Sequence, residues 1–296
     1  MLTAGGALFA AFPAAYACTF SGFYLAIMLV LFGLIIRVVS LELHHSSDLH
    51  KVWDWGFFVG SALPALLLGV AVGNVFAGVP LAANGDYAGI PLLGLITPFT
   101  LICGLLGLAM FLAAGAGWII LKSPVDSELR ARAVGLRKIF QIAALALFAL
   151  ATLWVFAFVK PHMVAGLGIV RVLLALLTVA ALVGALLLGM KAPVGKAAAD
   201  APAAPGIMGA CAGDLLPFIL QSAAAIFLVF LCACSMFPNL VVASAGSVGA
   251  SITIATAASS ALTLKCMTII ACIGVPLVLF YHYIIYKSFR GRLELA

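Results

Sequence analysis

Charged residues are what this 296-residue chain has fewest of: 15 Lys and Arg and 9 Asp and Glu, or 8% of the whole. A water-soluble domain carries about 25%, so this composition cannot build an ordinary solvated surface, and a free-standing soluble enzyme is excluded. The formal net charge of +6 does not signal a nucleic-acid partner. The basic side chains are scattered among apolar runs and form no stripe that could follow phosphates. Catalytic signatures are missing as well: there is no Gly-rich phosphate loop, no dinucleotide fingerprint after a strand, and no paired nucleophile and histidine. The 7 cysteines lie mostly in apolar runs, where cysteine acts as a small hydrophobe. Cys232 and Cys234 make only a CxC with no histidine beside it, which argues against a zinc site and against a disulfide framework. Met1 opens straight into LTAGGALFAAFP, without the basic start and small-residue cleavage site of a secretory signal.

What the chain has in quantity is hydrophobic residues, 66% of it. Crossing about 30 Å of hydrocarbon at 1.5 Å per residue takes about 20 apolar residues. Seven stretches meet that length: Ala14 to Ile36, Gly56 to Val79, Pro98 to Leu121, Ile139 to Val159, Leu167 to Met190, Leu215 to Phe237 and Cys266 to Tyr286. An apolar stub, Leu2 to Phe12, precedes them and ends at Pro13. The fold class is therefore all-α, a polytopic helical membrane protein with about seven full transmembrane helices plus an N-terminal remnant of another, and residues 1–296 form a single integral membrane domain. Val194 to Pro205 (VGKAAADAPAAP) reads as an extended linker. Ser123 to Lys138 reads as a charged loop, helical at its end, and Asn239 to Leu264 as a polar surface layer. If the first span exits into the cytoplasm at Arg37, twelve of the 15 basic residues face the cytoplasm, which by the positive-inside rule places the C-terminus there.

The most informative stretch is Val52 to Pro80, VWDWGFFVGSALPALLLGVAVGNVFAGVP. Asp54, between Trp53 and Trp55, stands at the entrance of a span, where a carboxylate complements the helix dipole; Asp54 and Trp55 are the helix-entrance candidates. Gly56 and Gly60, and again Gly69 and Gly73, are spaced by four, which lets another helix approach closely. Trp118 and Trp154 also fall near span ends, as an aromatic belt places them. Asn74, Gln141 and Gln221 read as interhelical hydrogen-bond partners, and Arg171 as a side chain reaching back to its interface.

Histidine supply bears on haem. Of 5 histidines, His44, His45 and His50 crowd one loop, His162 follows a span, and only His282 lies within one. A single intramembrane histidine cannot supply two axial ligands, and Met28, Met110 and Met267 have no diagnostic spacing. No bound cofactor, metal or self-contained catalytic residue is expected. The chain reads as a subunit of something larger.

Three blocks together resemble subunit II of the cytochrome bd quinol oxidases: Thr3 to Arg37 (TAGGALFAAFPAAYACTFSGFYLAIMLVLFGLIIR), the Val52 to Pro80 stretch, and Ser251 to Gly291 (SITIATAASSALTLKCMTIIACIGVPLVLFYHYIIYKSFRG). The resemblance implies a nine-helix subunit that carries no haem itself and supports a haem-bearing subunit I. The complex would oxidise quinol from the quinone pool, reduce dioxygen to water and add to the proton gradient, in the bacterial cytoplasmic membrane among its lipids; a small accessory subunit is compatible with it. The stub is then the tail of the family's second helix and the seven spans are the third to ninth, so the chain resembles an N-terminally truncated member. The resemblance promotes Arg37 as a proton-relay or subunit-interface candidate. Two departures stand out: His44 occupies a place where the family usually has arginine, two residues after the retained Glu42, and Thr256 stands where Asn or Asp is common. Rival expectations are a secondary transporter, which needs paired broken helices where only Pro64 and Gly69 offer half the pattern, and a non-catalytic remnant or assembly factor.

Overall fold

A computed structural model describes residues 2–44, 46, 48–124, 127–158, 167–190, 212–244 and 246–288. His45, Lys160, His162, Cys211 and the Val194 to Pro205 linker lie outside the described residues. Among the described residues ten α-helices follow in chain order: α1 Leu2–Ala11, α2 Pro13–Gly22, α3 Tyr24–His44, α4 His50–Ala77, α5 Pro98–Lys122, α6 Glu128–Ala157, α7 Gly168–Met190, α8 Ala212–Met236, α9 Ile254–Ala257 and α10 Ala261–Ser288. Seven of these described helices are long and apolar enough to cross a membrane: α3, α4, α5, α6, α7, α8 and α10. The expected count and the all-α class therefore hold.

Boundaries moved where local chemistry overrode hydropathy. The first expected span, Ala14 to Ile36, is two helices, interrupted at Phe23 and continuing eight residues past Ile36 to His44. The break lies where Gly22 meets the Tyr87 ring, so closely that a Cβ there would sit 2.7 Å from Tyr87 Cδ2. The expected loop from Ser123 to Lys138 is mostly helix. Ser127 caps α6 by accepting a hydrogen bond from the Arg130 N–H (3.3 Å), and Glu128 occupies the first turn, where it complements the dipole. α5, by contrast, starts at Pro98 as expected, behind a reciprocal Thr97/Thr100 capping box.

α3 packs on α4 and α4 on α5, and α5, α6, α7 and α8 then pack in succession, with α8 closing back on α5 as a four-helix ring. The ring's apolar core is Leu106, Ala109 and Met110 of α5, Ala144 and Phe148 of α6, Ala181 and Leu182 of α7, and Ala224 of α8. A second core lies at the far end of α4. There Val79, Leu81 and Leu95 meet Cys18, Phe23, Val241 and Ile252. The Asn239 to Leu264 segment builds part of this cap: β1 (Asn239–Val241) pairs antiparallel with β2 (Ile252–Thr253), and Thr253 and Thr256 form a capping box that starts α9. Gly78 needs to be glycine, since its φ is +97° and the Ala243 backbone lies 3.1 Å from where its Cβ would be. α10 packs mainly on α1 and has no buried residue.

Candidate functional site

The α4 glycines meet two different neighbours. A Cβ on Gly56 would lie 2.5 Å from Ser40 Oγ, and one on Gly60 would lie 2.6 Å from the Gly33 carbonyl and 2.8 Å from the Arg37 nitrogen, all on α3. Half a helix later the partner changes. A Cβ on Gly69 would lie 2.8 Å from the Cys103 carbonyl, and one on Gly73 would lie 2.8 Å from Cys103 Cβ, both on α5. Between the two contacts sits Pro64, whose ring approaches Gly33. The missing side chains let backbones approach, and close backbone approach is what membrane helix packing relies on where lipid is as apolar as leucine.

Arg37 has its backbone at this α3–α4 seam and its side chain on the outside. It is exposed, and its guanidinium lies 5.6 Å from the Phe57 ring centroid, in cation–π range. Asp54 stands in the second turn of α4, because the helix begins four residues earlier at His50 with no side-chain cap. Its carboxylate lies 3.2 Å from His44 Nε2, and the side chains are 68% and 38% exposed respectively, so this is a surface contact. His50 Nδ1 lies 3.0 Å from the His44 carbonyl. Trp55 is exposed and packs edge-on against Phe58 at 5.6 Å between centroids. The structure thus brings Arg37, Gly56 and Gly60 to one seam, while Gly69 and Gly73 belong to another.

A second constellation escaped sequence reasoning. Arg130 Nη2 donates to Asp214 Oδ2 at 2.7 Å with both side chains fully buried. Its Nη1 donates to the Ile120 carbonyl (2.8 Å), one of the last carbonyls of α5 that intrahelical bonding leaves open. Asp214 sits in the first turn of α8, where the dipole favours a carboxylate. In the last turn of α7, the Gly189 carbonyl accepts from Arg137 Nη2 at 2.9 Å. A side chain at 189 would collide with that guanidinium, its Cβ 3.0 Å from Nη2. Arg130 and Arg137, read from sequence as loop charges, therefore join the ends of four helices. The available signal was Asp214 itself, the sole acid between Asp200 and Glu294, placed directly before an apolar span.

Among the other polar residues, Asn74 and the two glutamines differ from expectation in their partners. Asn74 Nδ2 donates to the Leu95 carbonyl (2.7 Å) in the loop before α5 and to Val70 (2.9 Å) on its own helix. Arg171 Nε donates to the Leu167 carbonyl one turn back at 3.2 Å. Gln141 and Gln221 make no interhelical bond among the described residues. Nor do the described His, Cys, Asp and Glu residues gather in any group of three able to hold a metal ion.

Residues 1–289 match the family described as Cytochrome bd terminal oxidase subunit II. The chain belongs to this family. Among its relatives, Cytochrome bd-I ubiquinol oxidase subunit 2 of Escherichia coli K12 is 31% identical over 324 residues, covering 99% of this chain and 80% of that protein. Cytochrome bd ubiquinol oxidase subunit 2 of Bacillus subtilis 168 is 32% identical over 306 residues, again covering 99% and 80%. Probable cytochrome oxidase subunit 2 of Haemophilus influenzae is 42% identical over 164 residues, covering 53% of this chain and 43% of that protein. As a subunit II chain, its seven long helices make it a multi-pass membrane protein, and the matched span takes in all three blocks that carried the resemblance, save the last two residues of the third.

Proposed function

We propose that this chain is the non-haem-ligating membrane subunit of a cytochrome bd-type quinol:oxygen oxidoreductase. It supports a haem-bearing subunit I in quinol oxidation, reduction of dioxygen to water and generation of a proton gradient. The observation that carries this is the match along essentially the whole chain to proteins named ubiquinol oxidase subunit 2. Among the described residues the histidines do not fit a haem. His282 lies on a helix with no buried residue and turns Nδ1 to the Val278 carbonyl of its own helix (2.8 Å), while His44 and His50 are engaged at the surface, at the end of α3 and the start of α4. Enclosed axial ligation needs a walled pocket, so the electron-transferring groups belong to the partner.

Subunit I docks on the outer faces of α3 and α10. α10 is supported by its apolar, unburied character, and α3 by exposed Phe32, Ile35 and Val38 around Arg37. At that boundary Arg37 holds a positive charge next to hydrocarbon, which calls for an acidic group opposite it. We assign it a charge or proton relay between subunits, with quinone and lipid around the complex. The chain sits in the bacterial cytoplasmic membrane with its C-terminus in the cytoplasm, because most Lys and Arg lie on that side of the spans. The test is purification through a tag on this chain. A haem-rich partner and quinol-dependent oxygen uptake in the same fraction are expected. A haem-free chain purified without a partner, or substrate counterflow in liposomes, overturns the assignment.

A further inference from the structure

The interior of the α5–α6–α7–α8 ring changes character along its axis. At one end is the buried Arg130–Asp214 pair, joining α6 to α8. Both helices run inward from it. Seven residues on, Arg137 and Gln221 therefore stand at the same depth, about 10 Å from the pair at 1.5 Å per residue, and Gln141 follows one turn beyond Arg137. All three are buried, at 1%, 2% and 1% exposure for Arg137, Gln221 and Gln141. Beyond them Ala144, Phe148, Ala181, Leu182 and Ala224 line an apolar core, and the buried Thr178 hydroxyl there donates to the Leu174 carbonyl of its own helix (2.8 Å).

Their hydrogen-bonding groups outnumber their partners. Arg137 uses Nη2 on Gly189, while its Nε and Nη1 and both amide atoms of Gln141 and of Gln221 have no partner among the described residues. Buried polar atoms inside a membrane bundle are costly unless bonded. A ligand meeting this set must accept from a guanidinium and also donate to two amide oxygens. A small anion meets only the first demand, whereas water meets both and makes about three bonds in such sites.

We propose that this end of the ring holds an occluded file of ordered water molecules, bonded by Arg137, Gln141 and Gln221 and closed by the Arg130–Asp214 pair. It is a polar pocket reaching about half-way through the bundle and stopping at the apolar core. Its existence does not depend on the oxidase assignment.

Cryo-electron microscopy of the intact complex, at a resolution that shows water, tests it. Ordered density within about 3 Å of both glutamine amides and of Arg137 Nε or Nη1 is expected. Gln141 and Gln221 bonded directly to each other or to backbone carbonyls, with no such density, overturns it. Gln221→Met in the same complex gives an independent arm. Breaking a water-bonded network lowers the unfolding midpoint by a few degrees, whereas removing an unhydrated amide leaves it unchanged or raises it, which also overturns the proposal.

Discussion

Arg130 and Asp214 lie 84 residues apart in sequence and 2.7 Å apart in space, with neither side chain exposed. The pair links the start of α6 to the start of α8, and through the Ile120 carbonyl it also holds the end of α5. Removing one partner leaves a buried charge, which costs about 3–5 kcal/mol. Asp214→Ala is therefore expected to cut accumulation of the subunit sharply. The double variant Arg130→Met/Asp214→Leu removes both charges and is expected to recover much of the loss. Immunoblotting of membranes and thermal unfolding of the purified complex measure both, and equal losses in the single and double variants would contradict the assignment of the cost to an unpaired charge.

Gly60 has no room for a side chain against Gly33 and Arg37. Gly60→Leu must push α3 away from α4, and overpacking of this kind costs about 1–3 kcal/mol or more. A loss of folded subunit is expected. Gly115→Ala, at a position with nothing within 4 Å, is the control and is expected to change the unfolding midpoint little. Comparable melting of the two variants would show that the α3–α4 contact is not tight.

Arg37 contributes its backbone to that seam, but its side chain lies outside over Phe57. Arg37→Ala is therefore expected to leave accumulation intact and to lower quinol-dependent oxygen uptake of the assembled complex. Unchanged uptake at unchanged haem content removes the relay role. A fall in accumulation matching that of Gly60→Leu would make the residue structural.

The His44–Asp54 contact is solvent-exposed, and exposed pairs are worth about 0–1 kcal/mol and are screened by salt. Asp54→Asn is expected to shift the unfolding midpoint slightly at low ionic strength and not at high. A large shift that persists at high salt would mean that Asp54 has a partner beyond His44.

Thr253 caps the single turn of α9 with Thr256 in return. Thr253→Ala is expected to cost about 1 kcal/mol, read as faster proteolysis of the Asn239 to Leu264 segment in the intact complex. Unaltered cleavage would show that the cap does not hold the hairpin.

Sequence legibility followed the range of the interaction. Hydropathy over 20 residues is a local property, and it located all seven spans; Ser127 shows why the start of α6 moved from Ile139 to Glu128, since one capping hydroxyl sets a helix start that hydropathy cannot see. The paired spacing of Gly56, Gly60, Gly69 and Gly73 was visible as an aptitude for close packing. That the first pair meets α3 and the second α5 was not, because the spacing describes one helix and the neighbour is chosen by the whole bundle.

The amino-acid sequence by itself determined that this chain lives in a membrane, that it is built from helices, and, through three extended blocks, which family it resembles. Only the tertiary structure decided which polar residues are buried together. Arg130 and Arg137 read as loop charges until α5, α7 and α8 place open carbonyls and a carboxylate within reach. Gln141 and Gln221 read as ordinary interhelical partners until the ring sets both at the boundary between its polar end and its apolar core. A charge's burial depends on what three other helices bring to it, and no window along one helix contains that information.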